Sequence, residues 1–225
     1  MKLTSIVGAV PIAILIMAGG TLSASAQVAT TVSSAGLASP SSTSTVDSSL
    51  EDHRNEFGFW MASSFGLPSA LGGSRDASIP FVLGFRYGRV LLVGKALAFE
   101  YTADLVPVVI VSQPKASTPG SGRDHVYGGG AVPVGLKFIF NPRGRIKPFV
   151  SAQSGPFYFS HPVPVSDATH FNFYSTGDIG VQIPLSGNRS ITAAYRIGHV
   201  SNAGISQVNP GFNSSTFVAG FSIYK

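Results

Sequence analysis

The chain has 225 residues and no cysteine, so it can build neither a disulfide framework nor a thiolate metal site. Charge is scarce as well: 11% of the residues are Asp, Glu, Lys or Arg, against 44% hydrophobic ones. That balance fits neither a disordered chain nor a soluble domain with a densely charged surface. The 15 basic and 10 acidic residues leave a formal charge of +5, and no run of lysine or arginine gathers it. This argues against nucleic acid as a partner. The apolar run at 6–18 falls short of the ~20 residues a spanning helix needs. It follows Lys2 and precedes the small residues Ala24, Ser25 and Ala26. That is the layout of a signal peptide over residues 1–26 rather than of a membrane anchor. Residues 27–50 are rich in Ser and Thr and show no apolar period, so a flexible segment is expected there. Residues 51–225 remain for one folded domain.

Helical periodicity is missing from that domain, and period-two alternation recurs in its place. Phe57, Phe59 and Met61 alternate in a first strand, and Phe81, Leu83, Phe85 and Tyr87 in a second. Phe99, Tyr101, Ala103 and Leu105 form a third; Val132, Val134, Leu136, Phe138 and Phe140 a fourth. Pro148, Val150 and Ala152 mark a fifth, and Phe171, Phe173, Ile179, Val181 and Ile183 a sixth. Ile191, Ala193, Tyr195 and Ile197 mark a seventh, and Phe217, Phe221 and Ile223 an eighth. The opposite faces hold small polar residues and isolated charges: Arg86, Glu100, Asp104, Lys137, Lys147, Asp178 and Arg196. A water-soluble, lipocalin-like barrel would carry far more charge on its outer face. Sparse charges of both signs on these faces suit pairing inside a narrow lumen. Short links near residues 93–95, 141–144 and 186–189 alternate with longer ones at 66–78, 108–127, 160–169 and 200–212. Short periplasmic turns and long external loops alternate in this way in outer-membrane barrels. The expected fold is therefore all-β, an eight-stranded antiparallel transmembrane β-barrel of the outer membrane. Eight strands fill their own interior, which excludes an open pore.

The seventh strand runs into the segment His199-Val-Ser201-Asn202-Ala-Gly204, followed by Asn209-Pro-Gly211-Phe-Asn213. Residues i and i+2 of a strand share a face. His199 and Ser201 thus continue the lipid-facing parity of Ile197, and Asn213 shares that of Phe217 on the neighbouring strand. A serine becomes a useful nucleophile when a base takes its proton, and the base needs a third group to fix its tautomer. His199 can be that base and Ser201 that nucleophile. The Asn202 amide and the backbone N–H groups around Ala203 and Gly204 can face a developing oxyanion. The plainer alternative is an interfacial histidine beside an ordinary loop serine.

This segment resembles the outer-membrane lipid A 3-O-deacylases of PagL type, also labelled acyloxyacyl hydrolases. The resemblance implies an eight-stranded barrel that hydrolyses the ester-linked acyl chain at the 3-position of lipid A. It implies a catalytic base at His199, a nucleophile at Ser201 and an oxyanion donor at Asn202. It also matches Asn209 and Gly211 to the family's Asn-x-Gly pair. The family's catalytic glutamate falls at Asn213, where this chain has an amide. An amide can accept from an imidazole N–H but cannot stabilise an imidazolium by charge. Asp167, just before the sixth strand, is the nearest candidate for a substitute acid.

Two readings follow. The first is an outer-membrane ester hydrolase acting on lipid A within lipopolysaccharide at the external leaflet. The second is a non-catalytic structural or adhesive barrel of the same fold. Neither calls for a cofactor, and the scattered histidines show no metal-ligand spacing. A homodimer is a further expectation.

Overall fold

The computed structural model describes residues 50–65, 77–115 and 122–225, all within the compact unit Ser44–Lys225. The expected signal peptide and, Leu50 apart, the segment 27–50 lie outside the described residues. Eight strands follow in order: β1 (Asn55–Ser63), β2 (Ser78–Val93), β3 (Leu97–Pro114), β4 (Arg123–Phe140), β5 (Lys147–Val163), β6 (Thr169–Leu185), β7 (Arg189–Ser201) and β8 (Phe212–Tyr224). Each pairs antiparallel with the next, and β8 pairs back onto β1 to close the barrel. Closure removes the sheet edges, so every strand finds backbone partners without water.

The period-two pattern sorts side chains as the sequence implies. Phe57, Phe59, Phe85, Leu105, Leu136, Ile179 and Phe217 stand exposed on the outer wall. Aromatic rings meet there across strands, Phe59 with Phe221 at 6.0 Å and Tyr195 with Phe217 at 5.7 Å between centroids. A soluble protein does not cover itself with contiguous apolar surface of this kind. The wall belongs in lipid, and the molecule is a transmembrane β-barrel of the outer-membrane type.

The lumen holds the charges, and the strand register pairs them. Arg86 stands opposite Asp104 and forms a two-pronged ion pair, with both hydrogen bonds at 2.8 Å. Arg196 stands opposite Asp178 and does the same at 2.7 and 2.9 Å. Lys137, opposite Glu100, reaches that carboxylate at 3.1 Å and Glu56 on β1 at 3.6 Å. Lys137 also donates to Gln182 Oε1 at 2.9 Å. Lys147 donates to the Gly144 carbonyl at 2.8 Å. Trp60 lies among these groups. Its indole N–H donates to Asp104 at 3.1 Å, and the Arg196 guanidinium sits 4.2 Å over its ring. Gly84 makes this possible, because a Cβ there would collide with the indole. Glu56 is a lumen charge that the alternation did not mark, since it precedes the first apolar repeat of β1.

Three features depart from the sequence reading. Val132 faces the lumen, 2% exposed, rather than lipid. The register shifts between Gly130 and Val134, around Pro133, and this bulge exchanges the two faces. The strands also run further toward the loop end than the outward alternation does. The β3–β4 and β5–β6 connections shrink to 115–122 and 164–168. Finally, the upper lumen is apolar. Ile79, Val109, Val111, Val126, Phe157, Phe159 and Phe212 are buried there, and their packing extends the strands beyond the ~9–11 residues needed to cross a bilayer.

Removing one partner of a buried pair strands the other's charge. Asp104→Ala, which leaves Arg86 without its carboxylate, should destabilise the barrel by about 3–5 kcal/mol, read as a lower urea midpoint. Asp167→Ala, at an exposed turn position, should leave that midpoint unchanged.

Candidate active site on the outer wall

β7 ends at Ser201 and β8 begins at Phe212, so the segment singled out in the sequence lies at the loop-end rim. Val200 and Phe212 are buried in the lumen, at 2% and 1% exposure, and strand alternation turns His199, Ser201 and Asn213 outward. His199 is exposed, and Ser201 and Asn213 are half-buried. His199 and Asn213 are direct cross-strand partners. The His199 Nδ1–H donates to the Asn213 side-chain carbonyl at 2.7 Å. That bond fixes the proton on Nδ1 and leaves the Nε2 lone pair available.

Gly211 lies between the histidine and the serine. A Cβ built on it would stand 3.2 Å from His199 Cε1 and 3.4 Å from Ser201 Cβ. The ring and the serine therefore flank one small space, which stays open because residue 211 has no side chain. Its φ of +56° lies in the left-handed region that glycine adopts without strain. No hydrogen bond joins the Ser201 hydroxyl to the His199 ring among the described residues.

The loop 202–211 is held by its asparagines. The Asn202 N–H donates to Asn209 Oδ1 at 3.0 Å, and the Asn202 side-chain amide donates to the Val208 carbonyl at 2.9 Å. Asn202 Oδ1 accepts from the Gly204 N–H at 2.9 Å. The Ile205 N–H donates to the Asn202 carbonyl at 3.1 Å, closing a turn whose central residues, Ala203 and Gly204, have φ of +54° and +80°. Positive φ at both centres marks a type I′ turn. Asn202, 1% exposed, and Asn209 thus shape the loop that follows the serine. Asp167 is exposed in the β5–β6 turn, and the partner seen on the His199 ring is Asn213. On the lumen side of this wall, the hydroxyls of Tyr174, Thr176, Ser214 and Thr216 are buried. That cluster leaves no signal along the chain, because inward hydroxyls and inward small residues alternate alike.

A family model described as "Lipid A 3-O-deacylase (PagL)" matches residues 110–222, half of the chain, and this span contains the whole site. The chain belongs to the lipid A 3-O-deacylase (PagL) family. No curated protein sequence matches it. Among solved structures it is similar to the outer membrane enzyme PagL, with 16% identity, 75% of this chain and 98% of the other covered, and a TM-score of 0.45. It is similar to Neisserial surface protein A (NspA), with 18% identity, 76% and 94% coverage and a TM-score of 0.37. It is also similar to the outer membrane protein OprG from Pseudomonas aeruginosa, with 9% identity, 77% and 93% coverage and a TM-score of 0.39.

Gly211→Ala tests the space between ring and serine. A left-handed alanine costs about 1–2 kcal/mol, and its methyl group pushes against the imidazole. The expected result is a small loss of barrel stability together with displaced His199 ring resonances in NMR spectra. Gly204→Ala, also at positive φ but with no atom within 4 Å of its Cβ position, should show the stability loss without the ring displacement.

Proposed function

We propose that this member of the PagL family is an ester hydrolase that removes an ester-linked acyl chain from lipid A in the external leaflet, with Ser201 as nucleophile and His199 as base. The observation that carries the reading is the Nδ1–Asn213 bond on the lipid-facing wall. It holds the imidazole in the tautomer that can take a proton at Nε2, beside a serine on the same face. The substrate's ester lies at the level of the head groups, and the site opens sideways onto that level rather than into the lumen.

In the proposed reaction Ser201 Oγ attacks the ester carbonyl while His199 Nε2 takes its proton. The tetrahedral oxyanion collapses, the alcohol oxygen of lipid A leaves with the proton from His199, and the acyl group stays on Ser201. A water, deprotonated by His199, then releases the fatty acid and restores the serine. The Asn202 amide donates to its own loop, so its part is to hold the loop's shape. The Ala203 N–H then takes the role of oxyanion donor, because the Gly204 N–H is already held by Asn202. The serine and imidazole close to hydrogen-bond distance when substrate binds, as catalytic contacts often do.

Asn213 favours a second reading, a barrel of this family without catalysis. A carboxylate both accepts from Nδ1–H and stabilises the imidazolium formed during attack; an amide does only the first. Replacing the acid of a serine triad by its amide costs on the order of 10⁴ in rate.

Mass spectrometry of lipid A from cells expressing the chain decides between the readings. The hydrolase reading expects loss of one ester-linked acyl chain, abolished by Ser201→Ala and by His199→Ala. Unchanged spectra with the wild-type chain overturn it for that substrate. Asn213→Glu should raise esterase activity, by up to on the order of 10⁴. A folded Asn213→Glu barrel that stays silent supports the non-catalytic reading.

A further inference from the structure

Charge on the outside of the barrel is unevenly placed. The β2–β3 and β4–β5 connections and the start of β7 carry Lys95, Arg143, Arg145 and Arg189, all exposed. None of the four makes an ion pair among the described residues. The acids at the same rim are already engaged. Glu51 pairs with Arg54 at 3.6 Å, and the Asp52 carboxylate accepts from the Val93 N–H. At the loop end the described cations Lys115 and Arg123 are matched in number by Asp124 and Asp167. The unbalanced positive charge therefore sits at the turn rim.

Three of these cations lie beside exposed aliphatic residues. Leu92 and Leu97 flank Lys95 and are 62% and 40% exposed; Ile146, 55% exposed, adjoins Arg145; Leu185, 41% exposed, precedes Arg189. An apolar collar topped by cations on long, flexible stems marks the boundary between hydrocarbon and head groups. The cations occupy alternate connections, so they are distributed around the barrel's circumference. A compact soluble anion cannot span cations on three separate strand ends, whereas lipid head groups surrounding the barrel reach all.

We propose that the turn rim binds the phosphates of anionic phospholipids in the leaflet it faces, anchoring the barrel at that depth. Arginine's fork matches phosphate oxygens in pairs, and lysine adds a point charge. Attraction between such a rim and an anionic surface fades with salt. This inference is independent of whether Ser201 is a nucleophile.

The test uses the full chain folded into vesicles of phosphatidylcholine, or of phosphatidylcholine mixed with phosphatidylglycerol, with unfolding followed by the gel mobility of the heat-treated barrel. The wild-type chain should unfold a few degrees higher in the mixed vesicles, and high salt should erase the increment. A variant carrying Lys95→Gln, Arg143→Gln, Arg145→Gln and Arg189→Gln should match the wild type in phosphatidylcholine and lose the increment. Lys115→Gln, at the opposite rim, should keep it. If the fourfold variant does not fold, Lys95→Gln and Arg145→Gln singly should each lose part of the increment. An increment untouched by these changes overturns the proposal. So does an equal increment from inorganic phosphate with phosphatidylcholine vesicles, which would mean that free anion rather than the lipid surface is bound.

Discussion

The ion pairs across the lumen are the constraint on which the rest depends. Once the aromatic faces are committed to lipid, every charge on the other faces is trapped inside. Register answers that demand for Arg86 with Asp104, Arg196 with Asp178 and Lys137 with Glu100, and closure of the ring brings Glu56 on β1 to Lys137 on β4. A slip of one residue in any of these pairings would move a charge into lipid and an aromatic ring into the lumen. The pairs thus act as register pins as well as a filling for the interior.

The candidate site is a by-product of the same alternation. Because Val200 and Phe212 are anchored inside, His199, Ser201 and Asn213 must lie on the outer wall, at the depth where β7 and β8 give way to loop. The site needs no cavity. The lipid environment supplies the low-dielectric surroundings, and the barrel supplies a rigid pair of strands that holds an imidazole against an amide. Gly211 and the asparagine-stitched loop then define how close the serine can come. One wall presents the candidate chemistry at one rim, while unpaired cations gather at the other, so the two ends of the barrel meet their leaflets differently.

Much of this was legible in the chain. The alternating apolar residues from Phe57 to Ile223 mark all eight strands, and the scattered charges mark the lumen. Parity alone puts His199 and Ser201 on one face. What was not legible follows from interactions that leave no periodic trace. Val132 faces inward because a bulge at Pro133 exchanges the two faces, and a bulge interrupts the period on which the reading relies. β3, β4 and β5 run further toward the loop end than the outward alternation shows, because there the apolar residues switch from the outer to the inner face. Glu56 escaped notice because it stands before the first apolar repeat. The commitment of the Asn202 amide to Val208 depends on how ten loop residues fold back, and nothing in their order announces that.

Wherever no bulge interrupts it, the order of residues along each strand is enough to say which side chains face lipid and which face the lumen, because alternate residues leave a strand on opposite faces. Which partner each inward charge meets, and that the Asn213 side chain meets the imidazole, is a property of the assembled barrel. Both are distances between strands, set by closure of the ring and by register, and no spacing along one strand contains them.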